Sequence, residues 1–372
     1  MTMRILIACG GTGGHFYPGY ALGKALGARG HETLFVLRRE DPAAARLSAE
    51  DLPFAELDLR GLSRSPSRSW LALPGKLARS LWTARNIVRA WRPAVAVGMG
   101  GYLTVPVAAA ARLRGVPLVL HESNAVLGLA NRLSAGGAAC LALGLPGKRP
   151  GSGTRTALTG TPIREALWAK ADPAASRRAL GLDPGLATLL VVGGSQGARA
   201  LNRLVPEALR LLAERTPPPR SGVQVLHLCG KGHAEATRAA YAGLPAVILE
   251  FLEDMPAAYG AADLAICRSG ASTLAELAAQ KLPALLVPYP AATGAHQEAN
   301  ARILEAAGAA RLALEGGLSA AVLAELLGGL FDPAGSTLSA MTRAYEGLGL
   351  PPPERSAAVL ADIVEEAGKP LS

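Results

Sequence analysis

Aromatic residues are scarce in this 372-residue chain, 4% Phe, Trp and Tyr, so few side chains are available to stack on nucleic-acid bases. With no helix-turn-helix and no zinc-ligand spacing either, no nucleic-acid partner is expected. Cysteine is sparse too. Cys9, Cys140, Cys229 and Cys267 form no C-x-x-C and no His/Cys pair at metal spacing, which argues against a disulfide framework and against the common zinc sites. Three of them, Cys9, Cys229 and Cys267, close apolar runs, where a small buried thiol is expected. Asp-x-Asp is absent, so a divalent metal held by that motif is not expected. Long hydrophobic runs are also missing. The uncharged, His-free stretch of residues 94–111 is interrupted by Gly98, Gly100, Gly101 and Pro106, and reads as strand, glycine turn and helix start rather than a membrane span. The apolar run Ile5 to Cys9 is too short for a signal-peptide core, and a cytosolic protein is expected.

What is present is apolar and divided in charge. Apolar residues make up 50%, enough for two cores of the size this length implies. Residues 1–160 carry 20 Lys+Arg against 8 Asp+Glu, and residues 161–372 carry 18 against 21. The overall +9 therefore belongs to the first half. Within it, residues 60–92 hold eight basic side chains and no acidic one: either a solvated helix face or a surface for an anionic partner.

The two halves repeat one plan. Arg4 to Cys9 runs into Gly10-Gly11-Thr12-Gly13-Gly14-His15 and then a helical stretch from about Tyr17; Thr188 to Val192 runs into Gly193-Gly194-Ser195-Gln196-Gly197 and a helical stretch from Ala198. Short apolar runs, glycine turns and helices in this order predict βαβ units with strands buried on both faces. Two doubly wound α/β domains follow, with ligand loops at the carboxyl ends of both sheets and a break near Gly160.

A glycine loop at a helix start presents bare N–H groups to an anion. Neither loop matches G-x-G-x-x-G, and no Walker lysine follows, which disfavours a dinucleotide or ATP enzyme. Arg268-Ser269-Gly270-Ala271-Ser272-Thr273-Leu274-Ala275-Glu276 reads in two ways. The amides near Ala271–Thr273 hold a diphosphate and Glu276 a ribose diol, or Ser269 or Ser272 merely caps the helix.

Six segments then occur in one order: Gly11-Thr12-Gly13-Gly14-His15-Phe16-Tyr17-Pro18-Gly19, Gly98-Met99-Gly100-Gly101-Tyr102, His121-Glu122-Ser123-Asn124, Gly193-Gly194-Ser195-Gln196-Gly197-Ala198-Arg199, Cys267-Arg268-Ser269-Gly270-Ala271 and His296-Gln297 with Asn300-Ala301. Together they closely resemble the MurG family of bacterial glycosyltransferases. The resemblance implies the α/β GT-B fold, two doubly wound Rossmann-like domains facing a cleft. It places an acceptor domain at 1–162, a UDP-sugar domain at 163–344 and a tail at 345–372 returning to the first domain. It also implies inverting transfer of N-acetylglucosamine from UDP-GlcNAc to the muramyl 4-hydroxyl of lipid I (undecaprenyl-pyrophosphoryl-MurNAc-pentapeptide), with no cofactor and no metal, at the cytoplasmic face of the bacterial plasma membrane.

The same resemblance carries roles to single residues. Arg164 and the backbone at Leu252 lie near the uracil. Ser195 and the amides of Ala271, Ser272 and Thr273 hold the diphosphate, Leu274 and Ala275 belong to the same UDP-GlcNAc-binding turn, Glu276 holds the ribose, and Gln297 and Asn124 reach the sugar. Thr12, Gly13 and Gly14 close on the donor from the other domain. The sequence departs from the family's usual pattern at Ser123, where Gln is common, and Thr161, where Asn is common. His15 is the candidate base, against a role in which it only orients Thr12 or a phosphate; His121 is the second candidate. In the basic block, Leu71, Leu73, Leu77, Leu81 and Trp82 interleave with cations, suiting an anionic membrane surface or, alternatively, a helix whose leucines face the core. A different GT-B UDP-sugar enzyme, a lipid glycosyltransferase or a UDP-GlcNAc epimerase, is the nearest rival reading.

Overall fold

The computed structural model describes residues 2–59, 73–147, 153–194, 196–214, 222–332 and 334–369, without the side chains of 73, 74, 76, 77 and 293. Two compact units emerge: Met1–Glu165 with Leu350–Ser372, and Ala166–Gly349. These borders lie a few residues beyond those the resemblance implied, so Arg164 belongs to the first unit.

In the first unit, β1 (Arg4–Ala8), β2 (Glu32–Arg38), β3 (Phe54–Leu57), β4 (Val95–Gly98), β5 (Leu118–Glu122), β6 (Cys140–Leu143) and β7 (Thr156–Leu158) form a parallel sheet ordered β3-β2-β1-β4-β5-β6-β7. Between strands run α1 (Gly13–Ala28), α2 (Ala43–Ala49), α3 (Leu73–Trp91), α4 (Thr104–Leu113) and α5 (Leu129–Ser134). The reason β1 is a continuous apolar run is visible in its packing. Ile5 and Ile7 join one core layer with Leu22 and Leu26 of α1, while Leu6 and Ala8 join another with Ala84 and Val88 of α3 and Val107 of α4. A strand covered on both faces has no polar side to alternate with. The interrupted stretch 94–111 resolves into β4, a glycine turn and the start of α4, and no described helix is long and apolar enough to cross a membrane.

The second unit repeats the arrangement with β8 (Ala187–Val192), β9 (Val223–Leu228), β10 (Ala246–Leu249), β11 (Leu264–Cys267), β12 (Ala284–Leu286) and β13 (Ala310–Leu312), all parallel and ordered β10-β9-β8-β11-β12-β13. Its helices are α6 (Pro173–Ala179), α7 (Arg199–Ala213), α8 (Ala234–Ala240), α9 (Met255–Ala261), α10 (Ala271–Gln280), α11 (His296–Ala306), α12 (Ala320–Leu330) and α13 (Ser336–Ala344). The tail helix α14 (Pro353–Gly368) covers the first sheet: Leu360, Ala361 and Val364, all fully buried, pack in the layer that holds Ile5 and Leu22. Arg29 reaches Asp362 at 2.7 Å and Glu365 at 3.0 Å, but such partly exposed pairs add little. The apolar face holds the helix.

In both sheets the winding reverses beside the first strand, between β1 and β4 and between β8 and β11. Loops leaving the carboxyl ends of those strands diverge there and open a crevice for ligand.

Candidate active site

In the second unit the crevice is built from the loops after β8 and β11. The N-terminus of α10 has Gly270 as its cap residue, in an extended conformation, with no side chain closing it. The first backbone bond runs from Leu274 N–H to the Gly270 carbonyl at 3.0 Å, so the amides of Ala271, Ser272 and Thr273 are the orphan donors of a helix start. Neither serine acts as the cap. Ser269 Oγ donates instead to the Gln297 carbonyl at 2.7 Å, and Ser272 Oγ is buried without a hydrogen-bond partner. A helix end left with bare N–H groups and an unspent hydroxyl suits a diphosphate.

Two of the residues to which the resemblance gave donor contacts, Glu276 and Gln297, lie on α10 and at the start of α11. Glu276, one turn further along α10, accepts a 2.7 Å hydrogen bond from the Tyr259 hydroxyl of α9, which links it to the segment after β10 that contains Leu252. Gln297 begins α11 and is tied in by two contacts: its carbonyl holds Ser269, and its Oε1 accepts from Tyr289 N–H at 2.9 Å. Fully buried Asn300 donates to the Ser269 carbonyl at 3.1 Å. Leu274 is fully buried and Ala275 partly so; they serve as the helix's anchoring turn. Ser195 lies outside the described residues.

The glycine loop after β8 rests directly on backbone. Gly197, at φ +72°, packs against the Cys229 carbonyl, and Gly230, at φ +88°, against the backbone of Gly197. No side chain fits between them. Beneath them lies a buried network. Asn202 Nδ2 donates to that same Cys229 carbonyl at 3.0 Å, Asn202 Oδ1 pairs with His227 Nε2 at 3.0 Å, and Tyr241 OH pairs with His227 Nδ1 at 2.9 Å. This pattern fits a neutral imidazole protonated on Nε2, and burial pushes the His227 pKa down to about 3. In the unfolded chain the group takes up a proton below its ordinary value of 6.5, whereas the folded protein does not. Stability is therefore lost as pH falls from about 6.5 toward 3, by up to ~1.4 kcal/mol per pH unit from this one residue. Denaturant unfolding followed from neutral to acid pH should show a shallower slope in His227→Gln than in wild type.

In the first unit the loops after β1 and β4 meet at His15. Thr12 Oγ1 and His15 Nδ1 are 2.9 Å apart, and the imidazole packs closely against Gly100 and Gly101. Added Cβ atoms there would stand 3.2 Å from Nε2 and from Nδ1 respectively, and both glycines have positive φ. Gly13 and Gly14 open α1 with no side-chain cap, so their amides, like those of α10, have no partner within the helix. Gly11 N–H is already spent on Asp41 Oδ2 at 2.7 Å.

His121 is a structural residue. It is fully buried, with Nε2 at 3.1 Å from the Gly160 carbonyl, and burial lowers its pKa. Beside it Glu122 spends both carboxylate oxygens within the protein. Oε1 accepts from Asn124 N–H and Nδ2 at 3.0 and 2.9 Å, and Oε2 from Gly128 N–H and Asn131 Nδ2 at 2.9 and 3.0 Å. This leaves Asn124 held with its Oδ1 directed away from the carboxylate. Arg164, in the first unit, lies 5.5 Å over the ring of Tyr17 on α1. Tyr259, Asp41 and Asn131 escaped the sequence reading; Tyr17 and Glu122, inside quoted motifs, carried a signal that could have found them.

The N-terminal domain of glycosyltransferase family 28 matches residues 5–142, and its C-terminal domain residues 188–349. Over 370 residues, 99% of this chain and all of the relative, the sequence is 44% identical to the UDP-N-acetylglucosamine–N-acetylmuramyl-(pentapeptide) pyrophosphoryl-undecaprenol N-acetylglucosamine transferase of Alkalilimnicola ehrlichii. It is 39% identical over 365 residues, 97% of this chain and 99% of the relative, to the protein of the same name from Elusimicrobium minutum. The crystal structure of Acinetobacter baumannii MurG superposes with a TM-score of 0.80 at 28% identity, covering 98% of this chain and 100% of that one. Its two parallel sheets have the α/β architecture of the GT-B glycosyltransferases, and the chain belongs to the MurG family within glycosyltransferase family 28.

Proposed function

We propose that this chain transfers N-acetylglucosamine from UDP-GlcNAc to the muramyl 4-hydroxyl of undecaprenyl-pyrophosphoryl-MurNAc-pentapeptide, turning lipid I into lipid II in peptidoglycan synthesis. The observation that carries it is near-complete coverage by relatives of that name, with the glycine and serine loops after β1, β4, β8 and β11 seated at the switch points of both sheets. The second unit binds the donor. The amides of Ala271–Thr273 and the loop containing Ser195 take the diphosphate, Glu276 the ribose and Gln297 the sugar, with Leu252 and Arg164 toward the base. The first unit binds the acceptor and contributes Thr12, Gly13, Gly14 and Asn124.

The acceptor hydroxyl displaces UDP in line at the anomeric carbon. With Nδ1 of His15 directed at Thr12, Nε2 takes the hydroxyl proton. As the glycosidic bond breaks, negative charge grows on the departing diphosphate, where the α10 amides and dipole stabilise it. Incubating the purified protein with UDP-GlcNAc and a short-chain lipid I analogue should yield the β-linked disaccharide, read by mass spectrometry and NMR. UDP release without that product would point to the rival sugar-nucleotide chemistry.

The enzyme works as a peripheral protein on an anionic membrane surface at the cytoplasmic face. Ser80, Ala84 and Val88 turn one face of α3 into the core, while Trp82, 64% exposed, stands outward among exposed Arg79, Arg85 and Arg89. Leu81 packs on the core side; Leu71 and the side chains of Leu73 and Leu77 lie outside the described residues, as do Arg60, Arg64, Arg68 and the side chain of Lys76. Trp82→Ser is expected to reduce flotation with phosphatidylglycerol-containing vesicles by about tenfold. Arg85→Gln should chiefly reduce its salt sensitivity.

A further inference from the structure

We propose that the edge of the first unit opposite its ligand loops holds a site for an anionic phospholipid, its phosphate in an arginine-lined concavity and its upper acyl chain in an adjoining apolar one. The proposal rests on the membrane-facing reading of α3 and adds to it a lipid site of defined chemistry. The first concavity, about 840 Å³, is lined by Arg4, Asn86, Arg89, Arg92 and Arg114, and no carboxylate lines it. The second, about 610 Å³, has an apolar wall of Gly23, Gly27, Leu52, Pro53 and Trp91 with Lys24, His31 and Thr33 at its polar edge, and its one carboxylate, Glu32, is engaged by Arg4 at 3.0 Å. The two abut where the Arg4 guanidinium lies 5.4 Å over the Trp91 ring.

Both concavities lie where strands begin: Arg4 opens β1, Glu32 opens β2, and Pro53 and Pro93 precede β3 and β4. The transfer loops leave the opposite ends of the same strands, about 15 Å away. A cation near the C-terminus of α3 or of α4 is favoured by the helix dipole, which accounts for one arginine on each. It does not account for four guanidinium groups around one concavity, of which only that of Arg4 is paired, with Glu32. Among the described residues, none of Arg89, Arg92 and Arg114 forms an ion pair. The Trp91 indole N–H is also buried without a partner.

Guanidinium groups bind phosphate oxygens through paired N–H donors, so this wall selects a phosphate-bearing ligand. The adjoining apolar wall selects one whose phosphate continues into hydrocarbon. The site is also continuous with the surface assigned to the membrane: Trp82, Arg85 and Arg89 recur at three- and four-residue steps along α3, and Arg89 lines the concavity. A choline headgroup would bring a second cation against the arginines, so the preferred lipid is anionic.

Calorimetric titration of the whole protein with dihexanoylphosphatidylglycerol below its micellar concentration tests the proposal, with dihexanoylphosphatidylcholine and inorganic phosphate as comparisons. Two variants accompany the wild type. Arg92→Asn/Arg114→Gln removes two cations, and asparagine tolerates the left-handed φ of +51° at position 92. Gly27→Gln fills the apolar half without a clash, since a Cβ there meets nothing within 4 Å. Saturable binding of the phosphatidylglycerol, about tenfold tighter than phosphatidylcholine or phosphate, is expected. The arginine variant should weaken it about tenfold. Gly27→Gln should weaken the lipid by a similar factor and leave phosphate unchanged. Non-saturable binding, or binding that neither variant changes, would overturn the proposal. Phosphate binding as tightly as the lipid, with Gly27→Gln indifferent, would also overturn it and leave a bare anion site. Transfer to a soluble acceptor, measured on the same preparations, should be unchanged in the arginine variant. Absence of transfer in the wild type would count against the proposed reaction and not against the lipid site.

Discussion

Replacing His15 with alanine is expected to lower kcat by about 10²–10⁴-fold, the range a positioned general base contributes, with a much smaller change in KM for UDP-GlcNAc. The geometry supports this assignment in two ways. Thr12 holds one ring nitrogen at 2.9 Å, and Gly100 and Gly101 leave room for the imidazole that a side chain at either position would crowd. An imidazole so held keeps its other nitrogen directed. Were His15 only orienting Thr12 or a phosphate, the variant would instead keep kcat near wild type and lose donor affinity. Steady-state kinetics with both substrates varied distinguishes the two.

Glu276→Ala should raise KM for UDP-GlcNAc by about 30–100-fold, corresponding to ~2–3 kcal/mol for hydrogen bonds to a carboxylate, while kcat changes little. The ribose lies remote from the bond being broken, so its contacts are made alike in the ground and transition states. Tyr259 holds one carboxylate oxygen at 2.7 Å; Tyr259→Phe removes that hydrogen bond but keeps the acceptor, and its effect should be several-fold smaller. A UDP analogue lacking the ribose hydroxyls closes the cycle: it should bind wild type and Glu276→Ala equally. Unequal binding would mean that Glu276 acts on some other part of the donor.

The parts of this protein that could be read from the sequence share one property: they depend on neighbours along the chain. Ile5 to Ala8 is unbroken hydrocarbon because the strand is covered on both faces, and burial on both sides removes the alternation a half-exposed strand would show. The glycines at 11, 13, 14, 193, 194 and 197 mark strand-to-helix turns for similarly local reasons. Even so, α1 begins at Gly13 and not near Tyr17, because glycines that weaken a helix interior are tolerated in its first turn.

Where the sequence left alternatives, the answer lay in contacts between distant segments. Ser269 and Ser272 were equally good caps by pattern. Folding turns Ser269 toward Gln297, across the β11–β12 crossover, and leaves the α10 start to Gly270. Glu122 is one acidic residue in a motif until α5 brings Asn131 to it. Arg4, Arg92 and Arg114 are separated by whole βα units and meet only because β1 lies beside β4 and not beside β3. The sequence by itself thus determined the two α/β units, their repeated glycine loops and the family chemistry, since apolar runs, turn residues and motif order are all one-dimensional. Tertiary structure alone decided which polar groups are already spent within the protein and which remain for a ligand, because a hydrogen bond is satisfied by whatever the sheet order places within about 3 Å.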